Sequence, residues 1–200
     1  MPIQLHPLPC DPAAFAPHLP AAAVEQHRRA QQAGLDALNA MLGPHADDEA
    51  PALATLVVQA RGALAARAAQ AWSEAFHWAA LRPPPPGDTP GPKGPLADAV
   101  ARDFGDARRL QERFADAAER LAGPGWAWLV LRRDGRLAIL ATPQSATPLT
   151  GPDVPLLACC LWPHAWIQDR ADARARYLSG MWSLVNWSVV ASRMPQARAP

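Results

Sequence analysis

Trp126-Ala127-Trp128-Leu129-Val130-Leu131, then Arg132-Arg133-Asp134-Gly135, then Leu137-Ala138-Ile139-Leu140-Ala141, is the stretch on which the fold turns. Asp-Gly between two apolar runs is a strong hairpin signal, because both residues tolerate the backbone that a tight strand connection requires. The two runs are therefore predicted as paired antiparallel strands. Val154 to Leu161 is a third run, nearly all apolar, and predicts a buried strand. Upstream, Leu96 to Phe104 and Ala107 to Leu121 read as helices. Downstream, the chain to Met194 is mainly helical. The region 95–194 is thus expected to be an α+β domain with a three-stranded antiparallel sheet.

The region 1–86 has a different period. Val24, His27, Gln31, Leu35, Leu38 and Leu42 recur at three- and four-residue steps, which places them on one face of a helix from Pro20 to Leu42. Pro20 suits the first turn, and Gly43-Pro44 ends the pattern. A second helical pattern runs from Pro51 to Leu81, interrupted at Gly62. Leu64, Ala68, Ala71, Ala75 and Trp78 give it a face of small and apolar residues suited to close antiparallel packing on the first helix. The run from Pro83 through Pro95 cannot be regular helix or sheet and reads as a linker. The predicted order is a long helical hairpin, a proline linker and an α+β domain. No internal repeat is visible.

Composition narrows the function. A formal net charge of +1 over 200 residues gives no reason to expect a nucleic-acid partner, which needs a clustered basic face. No stretch has the length and apolarity of a membrane span, and the start Met1-Pro2-Ile3-Gln4-Leu5-His6-Pro7 has neither the basic residues nor the apolar run of a signal peptide. The expectation is a cytoplasmic chain. Cys10, Cys159 and Cys160 do not make a disulfide framework, so Cys159-Cys160 is either core or a source of a metal ligand. Eight Trp residues point to a core or pocket lined with indoles.

Seven short stretches now carry a resemblance. Ala16-Pro17-His18, Gln70-Ala71-Trp72, Gly125-Trp126-Ala127-Trp128-Leu129, Thr147-Pro148-Leu149-Thr150, Pro155-Leu156-Leu157, Leu161-Trp162-Pro163-His164-Ala165 and Leu184-Val185-Asn186-Trp187 resemble the iron/manganese superoxide dismutases, in that family's order and roughly its spacing. The likeness runs from about Leu5 to Met194. It implies the same helical hairpin and α+β domain, with one metal ion between them. In that family three His and one Asp hold the ion, and it cycles between two oxidation states.

Position by position, the resemblance implies a rewritten ligand set. His27 stands at the first ligand position. Gln70-Ala71-Trp72-Ser73-Glu74 puts Glu74 where the family has a second His. Cys160-Leu161-Trp162-Pro163-His164 puts Cys160 at the Asp and keeps His164. All four side chains belong to types that coordinate first-row metals. Two readings stay open: a His27, Glu74, Cys160 and His164 site holding one Fe, Mn or Zn ion, or a site with no metal, in which Glu74 pairs with one His and Cys160 is a buried small hydrophobe. A bound set would carry a formal charge of −2 against −1 in the family, lowering the reduction potential.

Around the site, the resemblance implies that the gateway His and Tyr of the first helix are Gln31 and Leu35, and Leu35 cannot move a proton. His77 replaces a Tyr. Gln70 stands where the iron-type enzymes hold the metal-bound solvent, and Trp78, Trp128 and Trp162 are expected as pocket walls. Gln70, His77 and Trp128 are the residues expected to tune the chemistry. The family's homodimer contacts are replaced: Pro163 stands for a Glu, Ile167 for a Tyr. The chain is therefore expected to be a monomer, an altered dimer or one half of a hetero-complex. Arg174 stands at a funnel-arginine position, with Arg170 and Ala171 departing from the pattern beside it.

Three functions follow as expectations. One is a pseudo-enzyme of this family with little or no normal dismutase activity and a binding role. Another is a metalloenzyme, a superoxide dismutase or other oxidoreductase, using the altered set. A third is a redox sensor at Cys159-Cys160, disfavoured because adjacent cysteines bond only with strain.

Overall fold

The computed structural model describes residues 2–43, 52–84, 87, 91–166 and 172–195. Helix α1 spans Ala21–Leu42, α2 Leu53–Gln59 and α3 Gly62–Ala79; α4 (Pro95–Phe104) and α5 (Ala107–Arg120) precede the strands β1 (Gly125–Leu131), β2 (Leu137–Pro143) and β3 (Val154–Cys160), and α6 (Ala173–Leu184) and α7 (Trp187–Ser192) follow. The fold is α+β, with helices in the N-terminal part and a three-stranded antiparallel sheet in the C-terminal region.

The sheet order is β2-β1-β3, with both pairings antiparallel. The hairpin turns as predicted: Arg132 N–H donates to the Arg136 carbonyl at 2.9 Å, and Gly135, at φ 78°, takes a conformation that a side chain would disfavour. Strand β1 is central and buried along almost its whole length. Its Trp126 and Trp128 are fully enclosed, each contributing about 1.5–3 kcal/mol of apolar burial. The bulge between Leu129 and Val130 shifts the register against β3.

Helix α1 packs on α3, and Val24, His27, Gln31, Leu35 and Leu38 are all buried, so the predicted face is the packed one. The second helical pattern is two helices rather than one. Arg61 is extended at φ −134°, and Gly62 enters α3 at φ 59°, so the chain turns sharply at the residue that carries no Cβ. Gly43 closes α1 at φ 69°. Pro44, Pro51 and linker positions 85, 86 and 88–90 lie outside the described residues.

The end of α3 is tied into the C-terminal part. Leu81 bridges to Val185, and Asn186 N–H donates to the Ala80 carbonyl at 2.7 Å. Arg193 acts as a clamp: it donates to the carbonyls of Leu156 and Phe76 at 2.8 and 3.0 Å, and its guanidinium lies 3.5 Å over the Phe76 ring. One apolar core therefore joins Phe15, Val24 and Trp78 to the sheet. A second, around Leu35, Leu38, Val57 and Ala68, holds the three N-terminal helices together.

Gly125 is the tightest point of the sheet. A Cβ there meets the Thr142 carbonyl oxygen at 2.2 Å and a Leu121 methyl at 2.7 Å. Gly125→Ala is expected to destabilise the protein by about 1–3 kcal/mol, read as a lower denaturation midpoint. An unchanged midpoint would show that the strand edge yields freely.

Candidate metal centre

Four elements each bring one donor to a common point. His27 comes from α1, Glu74 from α3, Cys160 from the end of β3, and His164 from the 3-10 turn Pro163–Ala165. On α3, Gln70 and Glu74 are one turn apart and so share a face. On β3, successive side chains point to opposite faces. Cys160 therefore faces the histidines while Cys159 faces Tyr177, its thiol 3.7 Å from the phenol oxygen. The Gln26 amide donates to the His164 carbonyl at 3.3 Å and fixes the turn against α1.

Glu74 is the hub. One carboxylate oxygen bonds His27 Nε2; the other accepts from His164 Nε2 at 3.2 Å and from the Gln70 amide at 2.9 Å. Trp126 Nε1–H donates in turn to Gln70 Oε1 at 3.4 Å. Glu74 thus pairs with both histidines, not with one alone as the metal-free alternative expected. Cys160 Sγ lies 3.9 Å from His164 Nε2. One donor atom from each of the four residues lies within 4.8 Å of the other three.

Burial pushes the Glu74 carboxyl up, but the His27 charge and hydrogen bonds from His164 and His27 outweigh it and bring it down to about 2. His77 goes the other way. Burial, aided by the His27 charge, lowers it to about 4 even though its Nδ1 bonds the Ala158 carbonyl at 2.9 Å. His77 is therefore neutral, with Nδ1 donating, and its Nε2 is buried without a partner among the described residues. Burial, reinforced by Glu74, pushes the Cys160 thiol well above its usual range, and burial takes Cys159 to about 12.

The donor set fits one first-row transition ion. Tetrahedral bonds of 2.0–2.3 Å require donors about 3.3–3.8 Å apart, a spacing this cluster reaches with small adjustments. Two imidazoles, a carboxylate and a sulfur are all accepted ligand types. The Cys160 proton has to leave for the sulfur to join them.

Residues 92–193 match the model of the C-terminal domain of iron/manganese superoxide dismutases. The chain is also 38% identical over 195 residues to "Superoxide dismutase [Fe]" of Salmonella typhimurium, covering 97% of this chain and 99% of the relative. The chain belongs to the iron/manganese superoxide dismutase family. The Escherichia coli K12 relative of the same name is 37% identical at the same coverage, and that of Bordetella pertussis 37% identical over 94% of this chain and 96% of its own.

The surroundings differ in part from what this family resemblance led one to expect. Trp78 and Trp162 do wall the site, 4.8 Å from the His27 ring and 5.9 Å from the His164 ring. Trp128 stands one ring further out, stacked on Trp72 and bonded through Nε1 to Thr142. The indole at the site is Trp126, which pairs with Cys160 across β1 and β3 and packs edge-on to His77. Gln31 accepts from Arg28 at 2.8 Å, and Leu35 is part of the second apolar core. Arg174 is not merely solvated: it donates to the Ala118 carbonyl at 2.6 Å and lies over Trp166. Pro163 opens the 3-10 turn that carries His164. Ile167, Arg170 and Ala171 lie outside the described residues.

Two predictions follow from the metal-free geometry. The Glu74 carboxyl is depressed, so its contribution is present above about pH 4.5 and is lost as pH falls toward 2. A shift of that size corresponds to roughly 3 kcal/mol. His77 is also depressed, so the unfolded chain takes up its proton first and stability falls between about pH 6.5 and 4. Denaturation of metal-free protein should show both segments, with Glu74→Gln shrinking the lower one. In a thiol titration, half-exposed Cys10 should react in the native protein, while buried Cys159 and Cys160 react only after denaturation. Fast reaction of either in the native state would reopen the sensor reading.

Proposed function

We propose that this chain is a metal-binding, superoxide dismutase-like protein that holds one first-row ion through His27, Glu74, Cys160 and His164, with normal dismutase activity largely lost. The convergence of those four donors on one point carries the reading. Side chains that had only drifted from an abandoned site would have no reason to aim a carboxylate and a sulfur at the same two imidazoles. The relatives reported above are named for iron, which makes iron the first ion to test.

A bound iron or manganese ion would supply one-electron redox chemistry. The chain's own groups set what can be done with it. Glu74 and Cys160 add two negative charges, which lowers the reduction potential relative to a set with one carboxylate. Gln70 is held by Trp126 and donates to Glu74, so it orients a ligand instead of being free to hold a solvent. Proton delivery is weakened: Leu35 has no ionisable group, and Gln31 is committed to Arg28. His77 is neutral and lies 5.6 Å from the His27 ring, so it is the remaining buried base near the site.

The partner state belongs to the same reading. Pro163, standing for the Glu that pairs across the family's two-fold axis, supports a monomer or an altered dimer. The boundaries 1–86 and 95–194 remain the proposed domain division, with the site between the two.

Elemental analysis after expression in iron-, manganese- and zinc-supplemented media, paired with a superoxide assay, tests the proposal. The expected result is about one equivalent of one metal, sharply reduced in Glu74→Ala and Cys160→Ala. Dismutase activity should be at least about 10–100-fold below that of the Escherichia coli relative assayed alongside. Ferric-loaded protein should show a thiolate charge-transfer band that Cys160→Ser abolishes. Absence of metal from every preparation would favour the pseudo-enzyme without an ion. Full activity would refute the loss of dismutation.

A further inference from the structure

A cavity lies against α1 and α3 beside the metal centre. It has a volume of about 1080 Å³ and sits beneath the N-terminal segment from Pro2 to Pro9. Its α3 wall is Ala71, Ala75 and Ala79 with Trp72 and Trp78; Trp78, one turn on from Glu74, separates it from the metal centre. Small side chains on that face leave the space open. The segment above it is anchored by Asn39, whose amide accepts from Ile3 N–H and donates to the Ile3 carbonyl, both at 2.9 Å.

Charge at this cavity has one sign. Arg28 and Arg82 line it, and none of the described lining residues is acidic. Arg82 Nε is buried and has no hydrogen-bond partner among the described residues. A buried donor in that state is unfavourable, more so on a charged group, until something accepts from it. Arg28 is held in place by the Gln31 amide oxygen and the His6 carbonyl, neither of which carries charge. Burial lowers its pKa; Glu74 acts in the opposite sense, but that carboxylate already accepts from two imidazoles. Leu5, Leu35 and Leu81 add apolar wall, and Gln4, His6, Gln31 and Asn186 add neutral polar groups.

We propose that this cavity binds an amphipathic monocarboxylate of the fatty-acid class, with its head on Arg82 under the positive potential of Arg28 and its tail along the alanine face of α3. The size is that of a small-molecule site, about 300–1,000 Å³ for most ligands. Apolar walls with a few polar groups are the usual construction of such sites. The guanidinium selects the head because it accepts nothing and donates well to a carboxylate. None of His27, Glu74, Cys160 and His164 lines it.

Calorimetric titration of the full chain with decanoate and with decanol tests this. Decanoate is expected to bind at least about tenfold more tightly than decanol, and Arg82→Gln should erase that difference while leaving decanol binding unchanged. Ala75→Phe, which fills the α3 wall, should weaken both ligands. Circular dichroism of each variant verifies its folding. Failure of decanoate to bind, equal binding of the two ligands, or decanoate binding untouched by Arg82→Gln would each overturn the assignment.

Discussion

A carboxylate sealed in the interior has to be answered by positive charge or donors, and Glu74 is answered on three sides. His27, His164 and Gln70 all point at it. Removing one partner of a buried charged pair is worth about 3–5 kcal/mol of lost stability, so this hub constrains everything around it. The turn that carries His164 has to sit against α1, α3 has to present one face to the sheet, and β3 has to end where it does. A metal ion would take over the role that the histidine protons play without it. The same side chains would therefore serve a metal-bound and a metal-free state with little rearrangement.

Much of this was readable from residue order. Asp134-Gly135 between two apolar runs located the hairpin, and the three- and four-residue recurrence from Val24 to Leu42 located the buried face of α1. The donors were readable only through the family motifs, since nothing in local periodicity brings His27 to Glu74. Two points escaped. The break between α2 and α3 depends on Gly62 adopting a positive φ, and an isolated glycine within a helical pattern does not announce whether it will do so. Trp126 was passed over for Trp128 because both lie on one face of β1. Which of them meets the site depends on the register with β3, which pairs Trp126 with Cys160 and Trp128 with Ala158, and local pattern does not give that register.

The replacements around the donors act together. Leu35 joins an apolar core and Gln31 turns to Arg28, so neither is free to relay protons. Glu74, itself a replacement, ties up the retained Gln70 as a brace. These changes agree in direction: each trades mobility or acidity for packing or fixed hydrogen bonding. A neighbouring face of the same helix pair carries alanines that leave space under the N-terminal segment.

The separations along the chain also impose an order of assembly. His27 and Glu74 are 47 residues apart, whereas Glu74 and His164 are separated by 90 and Phe76 and Arg193 by 117. During synthesis on the ribosome, the first imidazole and the carboxylate emerge long before the sulfur and the second imidazole. The helix that bears the carboxylate is clamped only when Arg193 arrives. An ion captured early would thus meet an open two-donor cradle, and the nascent chain can close over it only after Cys160 and His164 have emerged.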